Sequence, residues 1–436
     1  MKRDTVGTLI VGGGLAGLTA ALSLARRGEP VTLFERAPDP GGRARTRVQD
    51  GFRFNVGPHA LYRGGAGMSV LKALGIPVSG QAPPLSGAYA LDGGRLHTLP
   101  VGMASLLTTG LVDLRAKADL AAFLARLPRI DGAALQTTSL ADWLRTLRLR
   151  PKAQQVVEAL ARLTTYGVDV DSLSAGAAVR QLQLAGRSVL YLDGGWQSLV
   201  DALAAAAREA GVRVVTGARV AAVERGGDRG VTGVRLADGT RHDGRAVVVA
   251  AGPCETAALV EGSEATSLAR WRDAAAPVFM ASLDLGLSRL PRPRALFALG
   301  IDRPVYFSVH SATARLAPAG GALVHAAMYL GARASSPAED VRAELEALVD
   351  LVQPGWREAV VHARFLPRLL VAHGLPSAAQ GGAEGRPGAV VSDVPRLFIA
   401  GDWVGPTGLL ADASLASARQ AADAVLALPR RASSAA

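Results

Sequence analysis

Cysteine is nearly absent from this chain, whose 436 residues include one, Cys254. A single thiol cannot form a disulfide within the chain, and it excludes both a thiolate metal cluster and a dithiol redox pair. This composition agrees with a reducing compartment. The chemistry must therefore come from a bound cofactor or from acid–base residues, and we expect no metal site.

Lysine is also scarce, although the protein is basic. The net charge of +11 comes from 48 Lys and Arg residues against 37 Asp and Glu residues, but only four of the 48 are lysines. The arginines are spread along the chain and form no basic block with interleaved aromatic residues. We therefore expect no nucleic-acid partner.

Long hydrophobic runs are missing as well. The longest uncharged stretch that looks helical, Thr98 to Val112, is shorter than the roughly 18 residues of a transmembrane helix. The N-terminus runs almost directly into a strand and leaves no room for a signal segment, so we predict a cytoplasmic protein. Two interpretations of Leu99 to Val112 stay open: peripheral contact with an anionic membrane, or an ordinary buried helix or loop.

A dinucleotide-binding pattern occupies the N-terminal region. The apolar run from Thr8 to Val11 predicts a strand, and a helical pattern follows the glycine turn that begins at Gly12. In such a turn Gly12 allows the tight bend, Gly14 lets the backbone approach a pyrophosphate, and Gly17 lets the helix pack closely. The helix N-terminus then faces the negative charge of the phosphate.

A second apolar run, Val31 to Phe34, completes a strand–helix–strand unit and ends at Glu35. The carboxylate of Glu35 is placed to accept hydrogen bonds from a ribose diol. Two strands, a helix and a terminal acid together predict a dinucleotide site far more specifically than the glycines alone.

Hydrophobic periodicity predicts further elements along the chain. We expect helices over residues 114–127, 140–147, 153–163 and 338–351, around residues 199–203, and at the C-terminus. We expect short strands over residues 212–216, 220–224, 231–236, 246–250, 305–309, 323–330 and 396–400.

Two glycine motifs follow the N-terminal unit, Gly41-Gly42-Arg43 and Gly57-Pro58-His59, and Gly401-Asp402 lies near the C-terminus. Together with segments 193–196 and 248–253, these motifs resemble the flavoprotein superfamily that contains amine oxidases, protoporphyrinogen oxidase and phytoene desaturases. The resemblance covers nearly the whole chain. Within the superfamily, the sequence is most similar to the phytoene-desaturase-like group.

The resemblance implies one FAD, held without a covalent bond because Cys254 is far from the tail where the superfamily makes that bond. Arg43 would offer a guanidinium fork to the pyrophosphate or the flavin, Asp402 would bind the ribityl chain, and Val220 would meet the adenine. The helix that begins near Leu409 would face the flavin ring. The implied cofactor-binding residues are Gly12, Gly14, Leu15, Ala16, Gly17, Glu35, Arg36, Gly42, Arg43, Gly57, Pro58, Val220, Gly401, Asp402, Leu409 and Leu410.

The catalytic residues are less clearly marked. By the resemblance, Gly57 and Pro58 pass beside the flavin ring, so His59 and Tyr62 are the best candidates by adjacency; a packing role for His59 remains an alternative. Because a flavin accepts hydride itself, we expect no side chain to be indispensable as a base. Other polar residues of the substrate region, for which packing is the stronger interpretation, are Tyr166, Gln181, Gln183, Tyr191, Tyr306, His310, His325 and Tyr329.

The implied fold is α/β, with a Rossmann-type FAD-binding domain of the GR2-like flavoprotein fold interleaved with a mixed α+β substrate domain. We assign residues 1–65, 190–262 and 385–436 to the FAD-binding domain. The substrate-binding domain takes residues 66–189 and 263–384.

The leading functional prediction is an FAD-dependent desaturase or dehydrogenase that removes hydride from an apolar, isoprenoid-like small molecule. Oxygen or a quinone would accept the electrons, because the single glycine fingerprint is used by FAD. An oxidase of an amine or porphyrinogen-type substrate is an alternative, weakened for amines by the absence of lysine after Lys152. A flavin-dependent isomerase and a non-catalytic prenyl-lipid carrier also stay open.

Overall fold

The computed structural model describes residues 7–84, 86–227, 230–331 and 336–429. The helices in these ranges are α1 (Leu15–Ala25), α2 (Ala66–Ala73), α3 (Met103–Thr108), α4 (Leu114–Arg126), α5 (Leu140–Leu147), α6 (Pro151–Thr165), α7 (Ala175–Ala185), α8 (Gln197–Glu209), α9 (Pro253–Leu259), α10 (Ser267–Asp273), α11 (Ala338–Val352) and α12 (Leu410–Leu426). The strands are β1 (Thr8–Val11), β2 (Val31–Phe34), β3 (Thr46–Gln49), β4 (Phe52–Asn55), β5 (Leu61–Tyr62), β6 (Gly80–Gln81), β7 (Ala88–Asp92), β8 (Arg95–Thr98), β9 (Val189–Leu192), β10 (Arg213–Val215), β11 (Val220–Arg225), β12 (Val231–Leu236), β13 (Arg241–Asp243), β14 (Ala246–Val249), β15 (Val278–Leu287), β16 (Phe297–Gly300), β17 (Val305–Val309), β18 (Ala322–Leu330), β19 (Val360–Ala372) and β20 (Leu397–Ile399).

A five-stranded parallel sheet carries the dinucleotide pattern. Its strand order is β10-β2-β1-β14-β20, and Thr8 of β1 lies in register with Val31 on one side and Ala246 on the other. Every residue of β1 and β14 is buried, as expected for central strands of a parallel sheet covered on both faces. Helix α1 packs against both α8 and α12.

A seven-stranded mixed sheet, in the order β19-β15-β18-β17-β16-β7-β8, forms a second layer. Successive residues of its strands point to opposite faces. On one face, Leu283 and Leu285 of β15 pack in a hydrophobic core with α11. On the other face of β15, Ser282 and Asp284 are polar although both are fully buried. This second face becomes important below.

Helices α4 to α7 form a further layer beside the mixed sheet. Their core contains Leu120 of α4, Trp143 of α5 and Val156 of α6, and it continues to Leu299 of β16. The predicted combination of a Rossmann-type parallel sheet with a second, mixed α+β unit is therefore present. The exact domain boundaries stay a prediction.

Most predicted elements agree with the structure to within two residues at each end. Helix 140–147 and strands 231–236 and 305–309 match residue for residue. The two longest strands, β15 and β19, were not predicted individually: β15 contains polar residues that are nonetheless buried, and β19 is mostly half-buried or exposed.

The uncharged stretch from Thr98 to Val112, whose sequence looks helical, is mostly not a helix in the structure. Only the six residues of α3 are helical there, because a proline and two glycines interrupt the stretch. Leu99 and Leu106 are 3% and 2% exposed, whereas Met103 and Leu107 are 64% and 70% exposed. In the described part of the chain, no helix combines the length and apolar character that crossing a bilayer requires.

A buried ion pair ties together three parts of the parallel sheet. Glu29 precedes β2 and is 6% exposed; its Oε1 and Oε2 accept hydrogen bonds from Nε (2.6 Å) and Nη2 (2.9 Å) of Arg245. Oε1 also accepts a 2.7 Å hydrogen bond from the hydroxyl of Thr8 in β1. Because Arg245 directly precedes β14, one carboxylate links β1, β2 and β14.

We expect Glu29→Ala to lower the free energy of unfolding by about 3–5 kcal/mol, because it leaves the buried Arg245 guanidinium unpaired. Asp423→Ala is the matched control: the side chains of its ion pair with Arg27 are 50% and 47% exposed, respectively. Exposed pairs contribute about 0.2–1 kcal/mol. Urea unfolding measures both variants, and equal losses would show that the Glu29 pair stabilises no more than a surface contact.

Candidate functional site

The glycine turn after β1 has the shape that a dinucleotide requires. Gly12 has a φ of +106°, and a Cβ atom on Gly17 would lie 1.8 Å from the carbonyl oxygen of Gly12. Gly17 is thus required by the packing of α1 itself. A Cβ on Gly14 would meet no atom within 4 Å. The space in front of Gly14 is therefore open to an approaching phosphate.

Glu35 closes the far end of this turn. Its Oε2 accepts a 2.7 Å hydrogen bond from the backbone N–H of Gly13, and its Oε1 accepts one of 2.8 Å from Ala37. Its backbone carbonyl accepts a hydrogen bond from Ala218, which brings the buried Val220 at the start of β11 to the same end of the sheet. Glu35 and Val220 are thus neighbours in space, as the resemblance implies.

The second glycine loop faces the first. The backbone N–H of Gly41 donates a 2.8 Å hydrogen bond to the carbonyl of Gly13. Gly42 has a φ of +54°, and a Cβ atom on it would lie 3.6 Å from the Cα of Gly14. The two loops therefore border one space from opposite sides.

Three other predicted cofactor residues adjoin these loops. Leu15 and Ala16 begin α1, and no side chain caps the N-terminus of this helix. Uncapped N–H groups there favour an anion. Arg36 directly follows Glu35 and is exposed.

Arg43 lies in a polar cluster built from three distant segments. Its Nη1 donates to Oδ2 of Asp402 (2.8 Å) and to the carbonyl of Val371 (2.7 Å), and its Nη2 lies 3.1 Å from Nδ1 of His373. Oδ1 of Asp402 lies 2.8 Å from the same His373 nitrogen. Burial alone would raise the pKa of the Asp402 carboxyl, but Arg43 and His373 hold it well below its usual range. Gly401 and Asp402 follow β20 by one residue.

The loop after Asp402 leads into α12. Leu410, the first residue of α12, has a φ of +56°, a backbone conformation that costs a non-glycine residue about 1–3 kcal/mol. Arg386 fixes the loop: Nη1 donates to the carbonyl of Asp402 (2.9 Å) and Nη2 to that of Gly408 (2.6 Å). The N-cap position, Leu409, provides no capping side chain.

The loop after β4 contacts the mixed sheet at β19. Gly57 has a φ of +76°, and a Cβ atom on it would lie 2.6 Å from Cδ2 of Leu369 in β19. Pro58 is buried, and the His59 ring lies 5.1 Å from that of Trp196. Removal from water lowers the pKa of His59 to about 4, so its imidazole is neutral at pH 7.

Tyr62, the second predicted catalytic residue, lies in β5 and is 9% exposed. Its hydroxyl donates a long hydrogen bond, 3.4 Å, to the carbonyl of Thr164. Burial raises the pKa of Tyr62 above its usual value, so the phenol is protonated at neutral pH. It is available as a hydrogen-bond donor and not as a base.

Five of the six tyrosines gather beside the polar face of the mixed sheet. Tyr166, at the end of α6 with a φ of +61°, has its ring 5.8 Å from that of Tyr329. The Tyr306 hydroxyl donates a 2.6 Å hydrogen bond to Oγ of Ser308. Burial raises the pKa of every member, so all remain neutral. The five are Tyr62, Tyr166, Tyr191, Tyr306 and Tyr329.

Three histidines lie next to these tyrosines. Tyr191 stacks on His310 with 3.8 Å between ring centroids, and His310 meets His325 edge-on at 4.6 Å. Burial lowers the pKa of His310 well below its usual value. His59 is close enough that a charge on His325 further lowers the pKa of His59.

The structure therefore unites six of the eight polar residues that the sequence left as weak candidates: Tyr166, Tyr191, Tyr306, His310, His325 and Tyr329. Gln181 lies on α7 and is 2% exposed. Gln183 lies outside this group of tyrosines and histidines, because its side-chain amide donates to the carbonyls of Leu127 and Ile130.

Two residues of this region were missed from the sequence. Asp284 lies in β15 and Arg364 in β19, and they form an ion pair through Arg364 Nη2 and Asp284 Oδ2, 2.5 Å apart. They lie 80 positions apart in the chain and meet through strand pairing. The available signal was an acidic residue within an otherwise apolar strand, which requires a buried partner.

Comparison with known proteins identifies the family. Residues 15–426 match the family model described as flavin containing amine oxidoreductase. The chain belongs to this family.

A putative flavin-containing monoamine oxidase from Mycobacterium tuberculosis is 28% identical over 238 residues, 49% of this chain and 50% of that protein. A phytoene dehydrogenase from Streptomyces griseus is 51% identical over 53 residues, 12% of this chain and 10% of that protein. The chain thus aligns with half or less of the length of these relatives.

A solved structure shows the same fold. An oxidoreductase from Methanosarcina mazei superposes with a TM-score of 0.74 at 19% identity, covering 96% of this chain and 99% of that chain. The predicted superfamily and GR2-like flavoprotein fold are therefore confirmed. Family membership also confirms FAD as the cofactor and places the chain among FAD-dependent oxidoreductases.

We expect Gly14→Val to fold normally and to bind no FAD, because its side chain meets no protein atom but fills the space in front of the turn. Gly17→Val is the contrasting variant, since its side chain collides with the Gly12 carbonyl and should destabilise the fold itself. Thermal unfolding measures stability, and absorbance of the flavin released by denaturation measures FAD. A Gly14→Val protein that retains one FAD per chain would contradict this account of the turn.

Proposed function

We propose that this protein is an FAD-dependent desaturase or dehydrogenase that removes hydride from an apolar, isoprenoid-like substrate. The main support is the surface beside the Gly57 loop: Leu369, which contacts Gly57, also belongs to a buried aromatic and aliphatic cluster. We call this set the apolar cluster; its members are Met280, Tyr306, Ala327, Tyr329, Leu163, Tyr166, Val168, Phe297, Leu369 and Val371.

The charged side chains that border the apolar cluster already have partners. Arg162 lies over the Tyr329 ring and donates to the carbonyls of Gly300 and Arg303. Asp284 is paired with Arg364. A substrate ammonium group would need an unpaired carboxylate and would be repelled by Arg162, whereas an apolar body needs neither change. This arrangement favours an apolar substrate over an amine.

The residues of the two glycine loops fit FAD by an observation independent of the family, since the space at Gly14 is open and bordered by Gly42. When bound, FAD supplies the hydride acceptor. We propose that it is held non-covalently by the following residues: Gly12, Gly14, Leu15, Ala16, Gly17, Glu35, Arg36, Gly42, Arg43, Gly57, Pro58, Val220, Gly401, Asp402, Leu409 and Leu410. Cys254 is exposed in α9 and is not required for attachment.

The side chains near the Gly57 loop would act mainly by positioning. His59 is neutral and its Nδ1 lies 3.1 Å from the Gly57 carbonyl, so the ring can orient a substrate without adding charge. The tyrosines, Tyr62 among them, are protonated and form an aromatic wall that excludes water. A displacement of the reacting C–H bond by about 1 Å costs on the order of a hundredfold in rate.

Two observations favour an amine as the second candidate substrate. The name of the Mycobacterium tuberculosis relative specifies a monoamine, and that relative aligns with more of this chain than the phytoene dehydrogenase does. An amine oxidase is therefore the second candidate. A porphyrinogen oxidase, a flavin-dependent isomerase and a prenyl-lipid carrier are separate outcomes of the same experiment.

We expect phytoene in phosphatidylcholine vesicles to bleach the flavin of the anaerobic holoenzyme, because a long apolar chain suits the apolar cluster. Putrescine, benzylamine and protoporphyrinogen IX, tested in parallel, should leave the flavin oxidised. Stopped-flow absorbance measures the rate. If only an amine or the porphyrinogen bleaches the flavin, that compound class replaces the proposed substrate. An isomerised product without bleaching would indicate an isomerase. Purification of the protein without flavin would indicate a carrier. Oxygen or a quinone is expected to restore the colour.

We also propose that the protein is cytoplasmic and contacts an anionic membrane surface through a small exposed apolar patch. Met103 and Leu107 of α3 and Leu114 at the start of α4 are 64%, 70% and 82% exposed. Cationic side chains flank them: Arg115 is exposed, and Lys117 donates a 2.9 Å hydrogen bond to the carbonyl of Leu107. Apolar side chains bordered by cations are suited to an anionic lipid interface.

Leu107→Asp combined with Leu114→Asp should weaken co-flotation with phosphatidylglycerol vesicles at least about tenfold, because it removes apolar contact and adds charge of the wrong sign. Val390→Asp, at a 51% exposed valine outside this patch, is the matched control. Leu106 is buried and is therefore unsuitable for the test. Equal flotation of the double variant and the control would remove the patch from the contact.

A further inference from the structure

A row of four polar side chains crosses the buried face of the mixed sheet. Ser308 in β17 lies opposite His325 in β18. Asp284 in β15 lies opposite His325 on one side and Arg364 of β19 on the other. Ser308, His325 and Asp284 are at most 1% exposed. Because buried polar and charged groups are costly unless paired, this row demands a physical explanation beyond packing.

Asp284 orients the His325 ring. Oδ1 of Asp284 lies 2.7 Å from Nδ1 of His325, and Oδ2 accepts a hydrogen bond from Arg364. Burial alone would raise the pKa of Asp284, but His325 and Arg364 hold it below its usual value, so the carboxylate is ionised. An ionised carboxylate requires the ring proton on Nδ1, which leaves a lone pair on Nε2.

Nε2 of His325 has no hydrogen-bond partner among the described residues, although it is buried. An unsatisfied buried polar atom costs about 1–3 kcal/mol. The fold therefore holds a histidine with one nitrogen fixed by a carboxylate and the other nitrogen bare, which is the arrangement of a proton acceptor.

The pair lies where the Gly57 loop meets the apolar cluster. Arg364 also donates to the carbonyl of Asn55, two residues before Gly57. A Cβ atom on Gly57 would lie 3.9 Å from Cβ of Ser282, whose hydroxyl donates to Asp284. Further along β18, Ala327 and Tyr329 share the face of His325 and belong to the apolar cluster.

We propose that His325, oriented by Asp284, accepts the substrate proton during dehydrogenation. This inference rests on the proposed function and extends it. Dehydrogenation breaks two bonds to hydrogen: one hydrogen leaves with its electron pair as hydride to the oxidised flavin, and the neighbouring one leaves as a proton to Nε2 of His325. The electron pair of the second bond forms the new double bond. The imidazolium is balanced by the Asp284 carboxylate until it returns its proton to solvent.

The other groups that face His325 do not compete for this proton. His310 lies edge-on to it, and His59 lies in the adjoining loop; burial keeps both neutral. Arg364 acts from β19 through Asp284. The charge balance at His325 is therefore set by one carboxylate and one guanidinium.

The first test needs no substrate. Nitrogen-15 NMR of histidine-labelled holoenzyme at neutral pH should show His325 with its proton on Nδ1 and none on Nε2. Asp284→Asn should abolish the preference for Nδ1. A wild-type ring that carries its neutral-pH proton on Nε2 would overturn the proposal.

The second test uses whichever of the compounds tested above (phytoene, the amines or the porphyrinogen) bleaches the wild-type flavin. His325→Gln should lower the limiting rate of anaerobic reduction by about 10²–10⁴-fold, with the half-saturating concentration unchanged and FAD still bound. His97→Gln, in edge strand β8 of the same sheet, is the control and should behave as wild type.

The outcomes separate this inference from the proposed function. If no apolar compound bleaches the wild-type flavin but an amine does, the proposed substrate fails and the same comparison of limiting rates decides the role of His325 with that amine. If phytoene bleaches the flavin equally fast in wild type and His325→Gln, the proposed function stands and His325 is a packing residue.

Discussion

The ion pair between Arg43 and Asp402 is the contact on which the candidate site depends. The two residues are 359 positions apart, and together with the Val371 carbonyl and His373 they join the second glycine loop, the end of β19 and the segment after β20. The Asp402 carboxylate alone would be buried at a cost of several kcal/mol, whereas the Arg43 side chain is about one third exposed. The ion pair therefore brings the three segments together at one place in the folded protein.

The two sheets contribute to this site by different physical rules. The central strands of the parallel sheet are buried and mostly apolar, and its glycine turn lies in a loop at its carboxyl edge. The mixed sheet has one apolar face against α11 and one face where Asp284 and His325 interrupt an apolar surface. The proposed chemistry thus uses loop ends in one sheet and a strand interior in the other.

Burial sets the electrostatics of the region between the sheets. It lowers the pKa of His59 and His310 and raises those of the five tyrosines, so these groups stay neutral at pH 7. Of the charges that remain, Arg43 is paired with Asp402 and Arg364 with Asp284, and Arg162 donates to backbone carbonyls. Such an interior suits removal of hydride from an apolar molecule, provided that a built-in acceptor takes the accompanying proton.

The sequence by itself determined the local features of this protein. Neighbouring residues specify the glycine turn at Gly12, the acid at Glu35 and the periodicity of most helices and strands, because turn geometry and amphipathic packing depend on short spacings. These features predicted a dinucleotide site, and the resemblance of the ordered motifs as far as Asp402 to a flavoprotein superfamily implied the fold class and FAD. Tertiary structure decided the rest. Asp284 and His325 lie 41 positions apart and become partners only because β15 and β18 pair in one register, and no spacing rule specifies a register between distant strands.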